Sequence, residues 1–220
     1  MSRRPPRPLP EGAAETLGYL ADLGYQDLYL VESAGPAAAE LEALAKEAAQ
    51  CRRCRLAEGR SHVVFASGPA SAELMFIGEG PGAQEDRQGI PFVGPAGQLL
   101  DRIIQAIDRR REDVYVANVV KCRPPQNRDP APDEVAACRG YLERQIELVA
   151  PRVIVLLGRV AAQALLETDE PLARLRGRWL KAQGVDTRVT YHPAALLRNE
   201  SLKRPTWEDM QQVRARLDGR

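Results

Sequence analysis

Short, uniformly apolar runs alternate along this chain with longer stretches in which apolar residues recur every three or four positions. Leu74-Met75-Phe76-Ile77 offers no polar residue to solvent, so a strand over residues 73–77 is predicted to be covered on both sides. Three more strands are predicted over residues 113–120, 152–157 and 188–191. Helical spacing marks residues 37–50, where Leu41, Leu44, Ala45 and Ala48 share a face, and residues 95–108 and 159–166. In a longer helix over residues 132–149, Val135, Cys138, Leu142, Ile146 and Val149 line up, and Pro132 suits the first turn. A last helix is expected to open at a capping Thr206 and to turn Trp207, Met210, Val213 and Leu217 inward. Strands alternating with helices argue an α/β fold, a parallel sheet covered on both faces with right-handed crossovers.

The pattern is weaker ahead of this core. Residues 1–10 hold four prolines and three arginines with little to bury, which reads as a flexible arm. Residues 11–36 carry scattered apolar side chains, among them Leu17, Tyr19, Leu20 and Leu23, fit for a small helix and a docked segment. The organisation expected is an N-terminal extension over 1–36, partly flexible, followed by one domain over 37–220. At 220 residues there is enough chain for one sizeable core. No apolar run approaches the ~20 residues of a membrane span, and the first ten residues lack a signal-peptide core, so a soluble, cytoplasmic protein is expected.

Charge adds one local feature. The net charge is +1. Between Arg174 and Arg204, however, eight Lys or Arg (Arg198 among them) face only Asp186 and Glu200. A surplus of this kind suits a polyanion such as nucleic acid, or else forms a solvated basic face.

Cysteine is more informative than charge. The chain has four, Cys51-x2-Cys54 and Cys122-x15-Cys138. A cytoplasmic chain does not keep structural disulfides, so a metal is the leading reading. Zinc prefers two tight pairs or added histidines, and the only histidines are His62 and His192. Four irregularly spaced thiolates suit an iron–sulfur cluster at least as well, and spacing alone does not choose between the two.

The first strand delivers the chain into Gly78-Glu79-Gly80-Pro81-Gly82, followed by Glu85, Asp86 and Phe92. Glycines at a strand end let the main chain press against a ligand. The run formally matches the dinucleotide fingerprint, but the polar residues 84–89 predict no helix on the glycines, and no acid ends the second strand. Asn118 stands there instead, where a buried amide must find a partner, either in the loops or in a ligand of matching donors and acceptors. His192-Pro193 follows the fourth strand and would project into the same crevice, with Phe92 as core residue or stacking platform.

Together these segments resemble the family 4 uracil-DNA glycosylases, the prokaryotic iron–sulfur type. The resemblance runs from about Leu41 to Leu217. Its carriers are Gly78 to Gly82, Glu85-Asp86, Gly89 to Leu100, Asn118 with Lys121 to Pro125, the Cys122–Cys138 spacing, and His192-Pro193. It implies a three-layer αβα sandwich around a four-stranded parallel sheet, and a [4Fe–4S] cluster on Cys51, Cys54, Cys122 and Cys138. It also implies removal of uracil from DNA without covalent intermediate or lyase step; the partner expected is uracil-containing DNA, single- or double-stranded, and the protein is expected to be a monomer. In that role His192 and the Gly80 and Gly82 backbone meet the departing base, Asn118 reads its edge, and Phe92 stacks on it. Glu79 supplies electrostatics and Glu85 shape and base contact, with the orientation of water open between them. Leu196, Leu197 and Arg198 would meet the DNA, the leucines as a wedge. A related branch that cross-links to uracil carries a histidine in an inserted basic loop; residues 122–130 here have none. The rival reading is an iron–sulfur protein that binds nucleic acid without catalysis.

Overall fold

The central sheet has five strands in the spatial order β2-β1-β3-β5-β4. The structure, a computed structural model, describes residues 35–219. The expected flexible arm and the apolar segment after it, up to residue 34, lie outside the described residues. The strands are β1 (Leu74–Gly78), β2 (Tyr115–Asn118), β3 (Val153–Leu157), β4 (Trp179–Ala182) and β5 (Val185–Thr190). β2, β1, β3 and β5 run parallel and supply the four expected strands. β4 is an addition, antiparallel to β5. Its hairpin turns on Gln183 and Gly184 alone, both with positive φ (49° and 80°), which matches the twist of a two-residue hairpin.

The parallel strands are buried on both faces. From β1, Met75 and Ile77 join one apolar cluster and Leu74 and Phe76 the other. The first cluster packs under α1 (Pro36–Ala49), α5 (Pro132–Val149) and α6 (Arg159–Leu166). The second packs under α4 (Pro95–Ala106), through Leu100 and Ile104, and under α9 (Lys203–Leu217), through Met210, Val213 and Leu217. Fully burying side chains of this size contributes about 1.5–3 kcal/mol each. The three-layer αβα reading therefore holds, with one strand more than expected.

Two details of α9 differ from expectation. It begins at Lys203, and Thr206, inside it, donates its hydroxyl to the Leu202 carbonyl at 2.8 Å instead of capping. Trp207 faces outward, 40% exposed. Asp209 takes the inner position, where it gathers Arg176, Arg188 and Thr190. Four short α-helices, α2 (Leu56–Gly59), α3 (Ala83–Gln88), α7 (Leu172–Leu175) and α8 (Pro193–Arg198), and three 3-10 turns make up the other helical segments of the described chain. Among the described residues no helix is long and apolar enough to cross a membrane.

Candidate active site and cysteine centre

A cleft of about 390 Å³ opens at the carboxyl ends of β1, β2 and β5. Sheet order places it there: the chain leaves β1 toward β2 on one side, while β3 pairs on the other, and the crevice forms at that reversal. Backbone pairing continues past the strand ends. Val119 donates to the Gly78 carbonyl and Val120 to the Glu79 carbonyl, so Glu79 lies alongside the segment that carries Asn118. Gly80 and Gly82 line the cleft, and their N–H groups are used by no hydrogen bond among the described residues.

Phe92 forms one wall and is held from three directions. Glu85 Oε1 accepts from the N–H groups of Val93 (3.0 Å) and Gly94 (2.8 Å). Arg111 donates to the Pro91 carbonyl at 2.9 Å. Gly97 lies so close beneath that a Cβ there would stand 1.8 Å from the Phe92 carbonyl oxygen. These contacts hold Phe92 at φ 56°, a left-handed conformation that an aromatic residue adopts only under constraint. Gly97→Ala should therefore push the wall aside. The expected result is a cost of about 1–3 kcal/mol, read as a lower Tm, together with reduced activity. An alanine variant that matches wild type in both would show that the wall is not built this way.

Asn118 and His192 border the same cleft as this wall. Asn118 is 1% exposed, and its Oδ1 is the buried side-chain oxygen or nitrogen left without a partner among the described residues. The crowding is tight: a Cβ on Gly78 would come within 2.5 Å of that oxygen and 2.6 Å of the Phe92 ring. His192 caps α8, its Nδ1 accepting from the Ala194 N–H at 3.1 Å. Its ring stacks on Phe92 with centroids 5.6 Å apart and an interplanar angle of 30°. Burial drives the imidazole pKa down to about 4, so at neutral pH the ring is uncharged. With Nδ1 accepting, the single proton sits on Nε2, and the cleft meets a neutral donor. Glu79 moves the opposite way. Burial first and then the nearby Asp129 raise its carboxyl to about 7, against the pull of Arg159.

The family model described as the uracil DNA glycosylase superfamily matches residues 65–211. A type-4 uracil-DNA glycosylase of Sulfurisphaera tokodaii is 42% identical over 183 residues, covering 79% of this chain and 83% of that protein. The type-4 enzyme of Archaeoglobus fulgidus is likewise 42% identical, over 79% of this chain and 91% of its own. That of Thermotoga maritima is 41% identical over 181 residues, 80% of this chain and 93% of its own. The chain belongs to the type-4 branch of the uracil-DNA glycosylase superfamily.

Against that family the expected site residues fall into three groups. Glu79, Gly80, Gly82, Glu85, Phe92, Asn118, His192 and Arg198 all border the one cleft. Glu85, however, spends one carboxylate oxygen on the loop after α3, so what it does in this structure is hold shape. Leu196 is 2% exposed and packs inward, which removes it as a wedge, whereas Leu197 is 48% exposed at the rim helix. Of the basic surplus over residues 174–204, only Arg176 and Arg188 are spent inside the fold; the other paired cations stay at the surface. Arg176 and Arg188 bind Asp209, and Arg178, Lys181, Lys203 and Arg204 each pair with a nearby acid. The glycine run also leads straight into α3, contrary to the expectation of no helix there. A dinucleotide remains a poor fit, because Glu85 and Asp86 occupy the first turn of α3, where a pyrophosphate would need to sit. Sequence reasoning missed Arg111 and the tight packing of Gly97; a glycine two residues inside a helix start was the available signal for the latter.

All four cysteines border a second, much smaller cavity of about 20 Å³, which Lys121 and Tyr141 also line. Cys51 and Cys54 follow α1, Cys122 follows β2, and Cys138 lies in α5. All four are free thiols. Arg60 donates to Cys122 Sγ and the Lys121 N–H to Cys138 Sγ, both at 3.3 Å. Among the described residues, no three His, Cys, Asp or Glu converge as a single ion requires. Four thiols around one apolar cavity, with N–H donors aimed at two sulfurs, fit a polynuclear group whose ligands attach at separate corners.

Proposed function

We propose that this chain is a monofunctional uracil-DNA glycosylase of DNA repair: it takes uracil flipped out of DNA and hydrolyses the N-glycosidic bond, leaving an abasic site. The observation that carries this reading is the unpaired Oδ1 of Asn118, buried at the wall of the cleft. A buried acceptor without a partner costs about 1–3 kcal/mol, which a ligand N–H in the right place recovers. Uracil offers N3–H to that oxygen and O4 to the adjoining amide. Cytosine presents a bare ring nitrogen and an amine, leaving both groups mispaired.

The remaining groups serve the departing base. Bond cleavage leaves negative charge on uracil and positive charge on the sugar, so donors aimed at the base contribute most. The Nε2–H of His192 and the free N–H groups of Gly80 and Gly82 are such donors, and a neutral imidazole provides one without giving up a proton beforehand. Phe92 stacks on the ring. Glu79, when ionised, orients water and offsets charge on the sugar. Leu197 enters the gap left by the base and Arg198 meets a phosphate, against a flipping cost of a few kcal/mol.

The cysteine centre fits a [4Fe–4S] cluster, which Cys51, Cys54, Cys122 and Cys138 would hold and which would link α1, the β2 loop and α5 mechanically. Burial pushes the Cys122 and Cys138 thiols up, so bound metal is what would hold them as thiolates. Cys122→Ala should abolish the visible absorbance of the purified protein; an unchanged spectrum would remove Cys122 from the ligand set. The catalytic domain is residues 37–220, working as a cytoplasmic monomer, where thiols stay reduced.

The test is a labelled oligonucleotide bearing one uracil, against an identical thymine control. Strand cleavage only at uracil, and only after alkali, is expected. Cleavage without alkali would mean a lyase step. No cleavage by folded, metal-loaded protein would leave a nucleic-acid-binding protein without catalysis.

A further inference from the structure

Lys121 lies between the cleft and the cysteine centre and is 2% exposed. No carboxylate comes within ion-pair reach of its ammonium among the described residues. Burying a cation this way is costly unless its donors are well used. Its Nζ donates to the main-chain carbonyl of Asn118 at 2.8 Å and to Gln145 Oε1, and it stands 5.9 Å from the centroid of the Phe65 ring. Gln145 is fixed in turn, its amide donating to the Phe65 carbonyl at 3.1 Å and to the Tyr115 hydroxyl at 3.2 Å. At its other end, the Lys121 N–H donates to Cys138 Sγ.

We infer that Lys121 is a positioning residue for base recognition, its ammonium fixing the Asn118 peptide plane while its N–H ties the same strand end to the cysteine centre. This inference rests on the reading of Asn118 given under Proposed function. β2 is the edge strand of the sheet and ends at Asn118, and the ammonium supplies that carbonyl with the donor a further neighbouring strand would have given. A peptide plane that is free to tilt carries the side chain with it, and a displacement of about 1 Å at a reacting centre costs as much as a hundredfold in rate.

The experiment compares full-length, metal-loaded wild type with Lys121→Met. It reads single-turnover uracil release, affinity for uracil-containing DNA, visible absorbance and Tm. The expected result is a rate lower by about tenfold to a hundredfold, with DNA affinity, absorbance and Tm held or Tm raised, since methionine fills the site without a buried charge. A wild-type rate in Lys121→Met overturns the inference, whatever its Tm. Should Lys121→Met fail to fold, Lys121→Leu removes the same ammonium with a different apolar side chain; a wild-type rate there overturns the inference equally. Wild-type protein that releases no uracil would overturn the functional reading itself, and the two failures are thereby distinguished.

Discussion

Asn118→Ala should lower uracil release by about 10²–10³-fold, the size of effect seen when a preorganised donor is removed from a charge-developing site. Two contacts disappear together, the acceptor for N3–H and the donor for O4. Alanine also leaves room for water, which competes for the base edge. DNA affinity should hardly change, because affinity comes mainly from phosphate contacts and Asn118 is buried at the base of the cleft. Single-turnover kinetics beside a binding titration separate these quantities. A variant that releases uracil at the wild-type rate would end the assignment of Asn118, and with it the main support for uracil over other bases.

Glu79→Gln should produce opposite effects on activity and on stability. The Glu79 carboxyl titrates at about 7 in the folded chain, chiefly because it is buried. If its ionised form orients water, kcat/KM rises with pH through about 7, and glutamine removes that rise along with about 10²–10⁴ of rate. His192 does not contribute a limb in this range, since its pKa of about 4 keeps it neutral throughout. For stability, a carboxyl whose pKa is raised on folding binds its proton more tightly folded than unfolded. The wild-type chain accordingly loses stability as pH climbs from 4.5 through about 7. The glutamine variant escapes that loss and should melt a few degrees higher at about pH 8, the gap closing toward about pH 4.5. Equal melting at both pH values, or a wild-type pH profile in the variant, would show that Glu79 titrates elsewhere.

Much of this molecule can be read in its sequence, and the misses share a cause. β1, β2 and β3 were legible because a short, mostly apolar run rich in β-branched residues suits a strand covered on both faces. β4 escaped because its residues are mixed, Lys181 being exposed and Ala182 buried; the signal was Gln183-Gly184, a two-residue turn between two extended stretches. Arg188 reads as surface charge in sequence, yet its partner Asp209 lies 21 residues further on, in α9. Counting charges along a segment cannot find a counter-ion that arrives from across the fold. Phe92, Asn118 and His192 were legible as candidates from their places at strand ends and turns. Their supports were not: Lys121 under Asn118 and Arg111 behind Pro91 act through main-chain carbonyls, which leave no mark in the order of side chains.

The β4–β5 turn has a practical consequence. β5 runs from Val185 to Thr190, two residues before His192, so Gln183 and Gly184 sit at the far end of that strand, about 20 Å from the cleft. Both residues are exposed, and neither borders the cleft. A fluorophore or surface tether attached there would leave the mouth of the cleft pointing away from the support. Single molecules could then be watched scanning long DNA without the anchor obstructing its path.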